Sequence, residues 1–260
     1  MPQEFHIQSN ISDKQLNHQS TSLVIPQITR LRIHSSMYYK IKLDRRSLRG
    51  DTMKQVLKVL VNDFGRCYDQ SASMINVCGN VEFKCMLMKI IEICPTWAQV
   101  CEILQLGSEL HKQYLFNDKY IVALLLVYLR IQYYYLPDSK SDERGALQDV
   151  DSTGKITTRK IKAIYKNFLC DFRKLKSINF EVDCWSSSMQ KNVCIYHLDE
   201  IIDRLCTEDN IWGVPLGKCQ WAANIIEDES GSEFEDESDI SDVENSSAVA
   251  NVNNYDSSSN

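Results

Sequence analysis

The stretch from Tyr120 to Leu136 limits how this chain can fold more than any other feature. It is apolar on every side of a helix and is interrupted only by Arg130 and Gln132. A helix with no polar face has to be enclosed by other elements. Its uninterrupted apolar part is too short for the ~30 Å hydrocarbon layer of a bilayer. The expectation is therefore a buried core helix and no membrane partner. Asn117 is placed to cap it, and Pro137 to stop it.

The flanking segments supply the elements that enclose it. Asp51 can cap a helix from Thr52 to Phe64, in which Val56, Leu57, Leu60, Val61 and Phe64 share one face and Gly65 closes the last turn. Asn80 can cap a run from Val81 to Cys94 that Pro95 ends. Thr96 opens the next helix and Gly107 ends it. Ser12, with Gln15 at the capping-box position, opens a short stretch near the N-terminus. A basic helix is expected from Thr158 to about Leu175. Phe180–Trp185 and Val193–Tyr196 look extended and can pair as a small hairpin. Leu198 to Cys206 reads as a helix whose first turn carries Asp199 and Glu200, as the helix dipole favours. Ile211 to Trp221 reads as a loop packed by its Trp residues.

No alternation of strand and helix points to a parallel sheet. The expected fold class is mainly α: a compact multi-helix domain over residues 1–226, with room for a small β-hairpin. A polar surface insertion covers 137–154. Residues 227–260 read as a disordered, acidic, Ser-rich tail, because Phe234, Ile240 and a few Val cannot offset the entropy of ordering it.

Charge divides at the same boundary. The chain has 29 Lys and Arg against 35 Asp and Glu, but no Lys or Arg follows Lys218, and eleven of the acids lie from Glu227 onward. The remaining 24 acids leave the body at +5, and the tail stands at −11. In the tail, Ser230, Ser232 and Ser241 each have an acid three residues on, and Ser238 has Asp239 beside it. That pattern suits acid-directed phosphorylation; a plain solubilising tail is the simpler alternative.

Catalytic and metal chemistry finds little support. None of the ten cysteines sits in a C-x-x-C pair, so they read as reduced, buried thiols of a cytosolic or nuclear protein. His6, His18, His34, His111 and His197 show no metal-binding spacing. Gly213 to Cys219 resembles a phosphate loop only superficially. Three residues rather than four separate its glycines, and Cys219 follows Lys218 where Ser or Thr would hold magnesium. Asp199, Glu200 and Asp203 after His197 suit a helix start better than acid–base work. No enzyme activity, cofactor or metal is expected.

Two basic clusters remain. Arg30 to Arg66 holds ten Lys or Arg against three acids, with Tyr38 and Tyr39 among them. Lys155 to Lys176 holds eight against one, with Tyr165, Phe168 and Phe172. Such patches can neutralise RNA phosphates or meet acidic protein partners. Alternatively they are solvated helix faces.

The residues carry a family resemblance as well. Thr29-Arg30-Leu31-Arg32-Ile33-His34-Ser35-Ser36-Met37-Tyr38-Tyr39-Lys40 resembles the opening signature of the pre-mRNA-processing factor thirty-eight family. Ser47-Leu48-Arg49-Gly50, the Asn80–Pro95 segment, Lys119 to Arg130, Asp171-Phe172-Arg173-Lys174-Leu175-Lys176 and His197 to Asp203 follow in the family's order, over about Phe5 to Trp221. Ile211 to Trp221 resembles the budding-yeast branch. The resemblance implies a mainly α-helical, non-catalytic splicing factor of the nucleus, a docking component of the tri-snRNP and spliceosome needed for activation. It also implies spliceosomal protein partners, among them a zinc-finger protein and an acidic helical one. Direct RNA binding, to small nuclear RNA or to the pre-mRNA backbone, is the alternative. The 137–154 insertion is longer than a minimal family domain carries, and the tail lacks Arg-Ser repeats. The candidate contact residues are Arg30, Arg32, Arg49, Arg173, Lys174 and Lys176. Arg30 and Arg32 can instead make intramolecular pairs, and the last three can lie along core aromatics.

Overall fold

Every residue from Tyr120 to Ile131 is buried, so the apolar segment does form the centre of the molecule. The structure, a computed structural model, describes residues 25–65, 76–110, 116–136, 156–186 and 192–217, with a short antiparallel pair at Gln15–Leu16 (β1) and Gln19–Ser20 (β2). The helices are α1 Gln27–Ser35, α2 Arg45–Leu48, α3 Met53–Phe64, α4 Val81–Ile93, α5 Trp97–Leu110, α6 Lys119–Tyr135, α7 Thr158–Phe168 and α8 Leu198–Thr207. A π-turn at Tyr39–Leu43 lies between α1 and α2. Helices α3, α4, α5, α7 and α8 all pack on α6, while α1 and the π-turn rest on α4. No described helix is long and apolar enough to cross a membrane.

Arg130 and Gln132 are the polar side chains buried inside this apolar helix, and Arg130 carries the charge. It is fully buried and donates to the carbonyls of Leu205, Leu216 and Gly217 at 2.8–2.9 Å. One guanidinium thus ties α6 to the end of α8 and to the last described turn. That turn is a minimal strand pair, β5 Asn210–Ile211 with β6 Val214–Pro215. Trp212 between them is buried; its indole N–H reaches Ser177 Oγ and the Ile178 carbonyl, and its ring packs edge-on against Phe83. Gly79 lies under that ring with a positive φ, and any side chain there would run into the indole.

Local signals hold in most places and fail in a few. Asn80 caps α4 as expected, accepting from Val81 N–H. The cap of α3 is Thr52 with Gln55 reaching back, not Asp51; the Asp51 carboxylate instead meets Lys89 at 2.6 Å and Arg45 at 3.6 Å. Asn117 accepts from Lys119 N–H at the start of α6. Helix α5 runs through Gly107 to Leu110, since one glycine costs only ~1 kcal/mol inside a helix. Gln15 lies in a strand rather than a helix, and Ser12 falls outside the described residues.

The larger correction follows α7, which ends at Phe168 rather than near Leu175. Lys174–Ile178 is strand β3, paired antiparallel with β4 Val193–His197, Lys176 opposite Ile195. Phe180–Trp185 is irregular and is not a hairpin arm. Lys-Leu-Lys-Ser already alternates with the period of a strand: Leu175 and Ser177 are buried, and Lys174 is exposed. Cys78 occupies the far edge of β3, bonded to the Lys176 carbonyl and the Ile178 N–H. The 137–154 insertion and the 227–260 tail lie outside the described residues.

Two outcomes follow from this packing. Replacing Arg130 with Met keeps the bulk but strands three carbonyls, and should cost on the order of 3 kcal/mol, read as a lower urea midpoint. Arg130→Lys should recover little of it, because an ammonium lacks the planar fork. Burial opposes ionisation of Glu92, yet bonds from His34, Lys89 and Tyr39 outweigh it and hold the carboxyl below its ordinary value. Its contribution is therefore complete above the unfolded carboxylate pKa of ~4.3 and is lost as pH falls through the lower folded value. Urea midpoints measured from neutral pH downward should fall more steeply for the wild type than for Glu92→Gln; parallel curves would refute the assignment.

Candidate interaction surfaces

Helix α1 is packed with its polarity inverted. Its buried face consists of Thr29, Arg30, Ile33 and His34. Ile28 and Leu31 point outward, 66% and 47% exposed, followed by Met37 at 68% and Ile41 at 62% around the π-turn. Buried polar groups need partners, and α4 provides them. His34 Nε2 lies 2.8 Å from Glu92 Oε1, and the Tyr39 hydroxyl donates to Glu92 Oε2 at 2.6 Å. Burial and the Glu92 charge push the Tyr39 hydroxyl well up, so it stays a proton donor. Lys89 bridges Glu92 and Asp51. Ser36 Oγ lies 3.2 Å from Cys85 Sγ. The polar network anchors the segment beside buried Ile33 and Leu43, and Ile28, Leu31, Met37 and Ile41 are left facing solvent.

The cations predicted for this region divide between the two faces. Arg30 is buried and donates to the Ile25 carbonyl at 2.8 Å, so it is structural. Arg32 is exposed on the outer side of α1 beside Ile28 and Leu31. Arg49 is exposed at the left-handed end of α2, and its carbonyl accepts from Gln55. Lys42 pairs with Asp63 at 2.7 Å, whereas Lys40, Arg45 and Arg46 are exposed. The result is an aliphatic face with a cationic rim.

A second surface forms on the β3–β4 hairpin. Cross-strand partners share a face, so Lys174, Lys176, Val193 and Ile195 lie on its outer side; Val193 and Ile195 are exposed, as is neighbouring Phe172. Lys174 is exposed, and Lys176 is half-buried with its backbone N–H donating to the Tyr120 hydroxyl. Arg173, between them and Phe172, is turned inward. It forks onto Asp171 and pairs with the buried Asp118 at the start of α6. Burial disfavours its charge, but these two carboxylates more than offset that and raise its pKa further.

The features that invited a catalytic reading have structural tasks. Gly213 and Gly217 take the positive φ of turns, and the Leu216 and Gly217 carbonyls point at Arg130 rather than framing a phosphate site. Lys218 lies outside the described residues. Glu200 Oε2 accepts the His197 N–H, closing the cap of α8. Burial pushes the Cys85 thiol to about 12 and Cys184 to about 11, which makes both poor nucleophiles. Among the described residues no cluster of three His, Cys, Asp or Glu is placed to hold a metal ion.

The inverted helix was not legible from periodicity, because aliphatic residues spaced three and four apart read as a buried face wherever they end up. The only available signal was the polar character of Thr29, Arg30 and His34 on the opposite side.

Residues 14–229 match the model of the PRP38 family. Pre-mRNA-splicing factor 38 of Saccharomyces cerevisiae is 46% identical over 230 residues, 88% of this chain and 90% of the yeast protein. A chain in the crystal structure of the Snu23-Prp38-MFAP1(217-258) complex of Chaetomium thermophilum aligns with a TM-score of 0.50 at 22% identity, over 82% of this chain and 85% of that one, a likeness of fold. The ordered blocks between Phe5 and Trp221 therefore reflect common descent over most of the sequence, and the chain belongs to the PRP38 family.

Proposed function

We propose that this chain is a nuclear, non-enzymatic pre-mRNA splicing factor that docks in the tri-snRNP and acts when the spliceosome is activated. The observation that carries the docking reading is the inverted helix, with Ile28, Leu31, Met37 and Ile41 held outward on a polar, tightly bonded base. Exposed aliphatic groups on a rigid support suit a protein partner. The rim of Arg32, Lys40 and Arg46 suits an acidic one. The yeast relative is named a pre-mRNA-splicing factor, and the Chaetomium structure holds Prp38 with Snu23 and MFAP1. The partners proposed for this chain are a zinc-finger protein and an acidic helical protein. Separate weak contacts add up once the particle is assembled, because each new one forms at high effective concentration.

Tagged protein should retrieve tri-snRNP RNAs and proteins from nuclear extract at moderate salt. Leu31→Asp combined with Ile41→Asp should reduce that recovery at least tenfold while leaving the thermal melt unchanged, both residues being exposed. Full recovery by a folded double variant would overturn the docking reading.

One observation favours direct RNA contact as a second reading: Phe172, 66% exposed, stands two residues from the exposed Lys174, an aromatic ring near a cation that makes no ion pair among the described residues. This reading expects salt-dependent binding of single-stranded RNA by the purified chain, lost in Phe172→Ala with Lys174→Glu. Undetectable binding by the wild type at low salt would eliminate it.

A further inference from the structure

The face built by α1 and the π-turn has a complement within the same chain. From Ile25 to Leu43 there is no Asp or Glu. Arg32 and Lys40 make no ion pair among the described residues. Most of the acids near this face are engaged: Asp63 by Lys42 and Tyr38, Asp51 by Lys89 and Arg45, Glu92 by His34, Lys89 and Tyr39, and Asp44 by the Arg46 N–H that it caps; Glu82, near Tyr38, keeps one carboxylate oxygen without a hydrogen bond among the described residues. Residues 227–244 supply the opposite character, with ten acids and no base, and with Phe234, Ile240 and Val243 set among them.

We propose that this segment, Glu227 to Glu244, occupies the α1 face in the free protein and competes there with the docking partner. The competition rests on the docking reading above; the occupancy does not. Reach is sufficient. Gly217 is the last described residue, and the seventeen residues from there to Phe234 span up to ~58 Å when extended, against a radius of gyration of ~16 Å for a body of about 200 residues. Covalent attachment over such a length gives an effective concentration on the order of millimolar, so a contact too weak to form between separate molecules is populated within one.

The hairpin also combines cations with apolar side chains, and it fits the segment less well. Strand β4 runs directly into α8, whose Asp199, Glu200 and Asp203 lie beside Tyr196 around a cavity of about 460 Å³. The Asp203 carboxylate there has no ion-pair partner among the described residues. An acidic segment laid along that edge meets the like charge of three neighbouring carboxylates, whereas residues 27–46 carry a single acid, Asp44, against six Lys and Arg.

The test uses the full chain with a benzoylphenylalanine photo-crosslinker in place of Phe234, and crosslinked peptides mapped by mass spectrometry. At about 0.1 M salt the crosslinks should fall within residues 27–46. At about 1 M, where the Debye length shrinks from ~10 Å to ~3 Å, they should disappear. They should disappear also in Arg32→Glu with Lys40→Glu. Crosslinks that map to the hairpin, scatter over the body, or survive the charge reversal would overturn the occupancy. For the competition, a full chain with its ten acids between 227 and 244 changed to Asn or Gln should retrieve about tenfold more tri-snRNP at limiting bait, the factor expected when a site about nine-tenths occupied internally is freed. Unchanged retrieval overturns the competition. If Leu31→Asp with Ile41→Asp leaves retrieval intact while the crosslinks persist, docking fails and occupancy stands; if it abolishes retrieval while the crosslinks lie elsewhere, docking stands and occupancy fails.

Discussion

Arg130 places a charge in the middle of an otherwise apolar helix, and the rest of the C-terminal half is arranged around it. With no exposure to water, its guanidinium is met by the carbonyls of Leu205, Leu216 and Gly217. A buried charge is tolerable only when its donors are used. The fork fixes where α8 ends and where the β5–β6 turn sits against α6. That turn carries Trp212, which closes over Gly79 and bonds to β3 through Ser177 and Ile178. The hairpin, the start of α4 and the turn are thereby held in one register by a chain of contacts that begins at a single side chain. Lys84, buried on α4 and bonded to Asp183 at 2.6 Å, ties the segment after β3 into the same assembly.

The N-terminal third is held by a different kind of contact. Helix α1 lies on α4 through His34, Tyr39 and Lys89 converging on Glu92, and carries Ile28 and Leu31 on its outer side. Polar anchoring and apolar exposure belong together here. With polar groups carrying much of the anchoring beside Ile33 and Leu43, Ile28, Leu31, Met37 and Ile41 remain to offer a partner. The inversion also sorts the cations: Arg30 is spent on the Ile25 carbonyl inside, and Arg32, two residues on, remains at the rim.

Much of the fold was legible because it rests on strong local rules. Asn80 before an apolar run, Pro95 and Pro137 place helix ends without knowledge of the packing. Sequence and structure part where two local rules overlap. Phe168 to Lys176 is basic and follows an amphipathic helix, which favours continued helix, although Lys-Leu-Lys-Ser has a strand's period. Asp51 is as good a cap as Thr52 on sequence alone, and only Lys89 on a helix thirty-eight residues away decides what its carboxylate does. The candidate contact residues divide for the same reason. Arg173 looks as available as Lys174 until Asp118 is brought to it across fifty-five residues.

The sequence by itself determined that a helix would be enclosed at the centre, that caps and prolines would set its neighbours, and that opposite charge would be partitioned between body and C-terminal segment. These properties depend on neighbours a few residues apart or on composition. Only the tertiary structure decided which aliphatic residues face out, which cations are neutralised and which remain at the surface. Those outcomes depend on partners delivered from distant parts of the chain, Glu92 to His34 and Asp118 to Arg173. A residue's type states what it can bond to, and packing alone states what it meets.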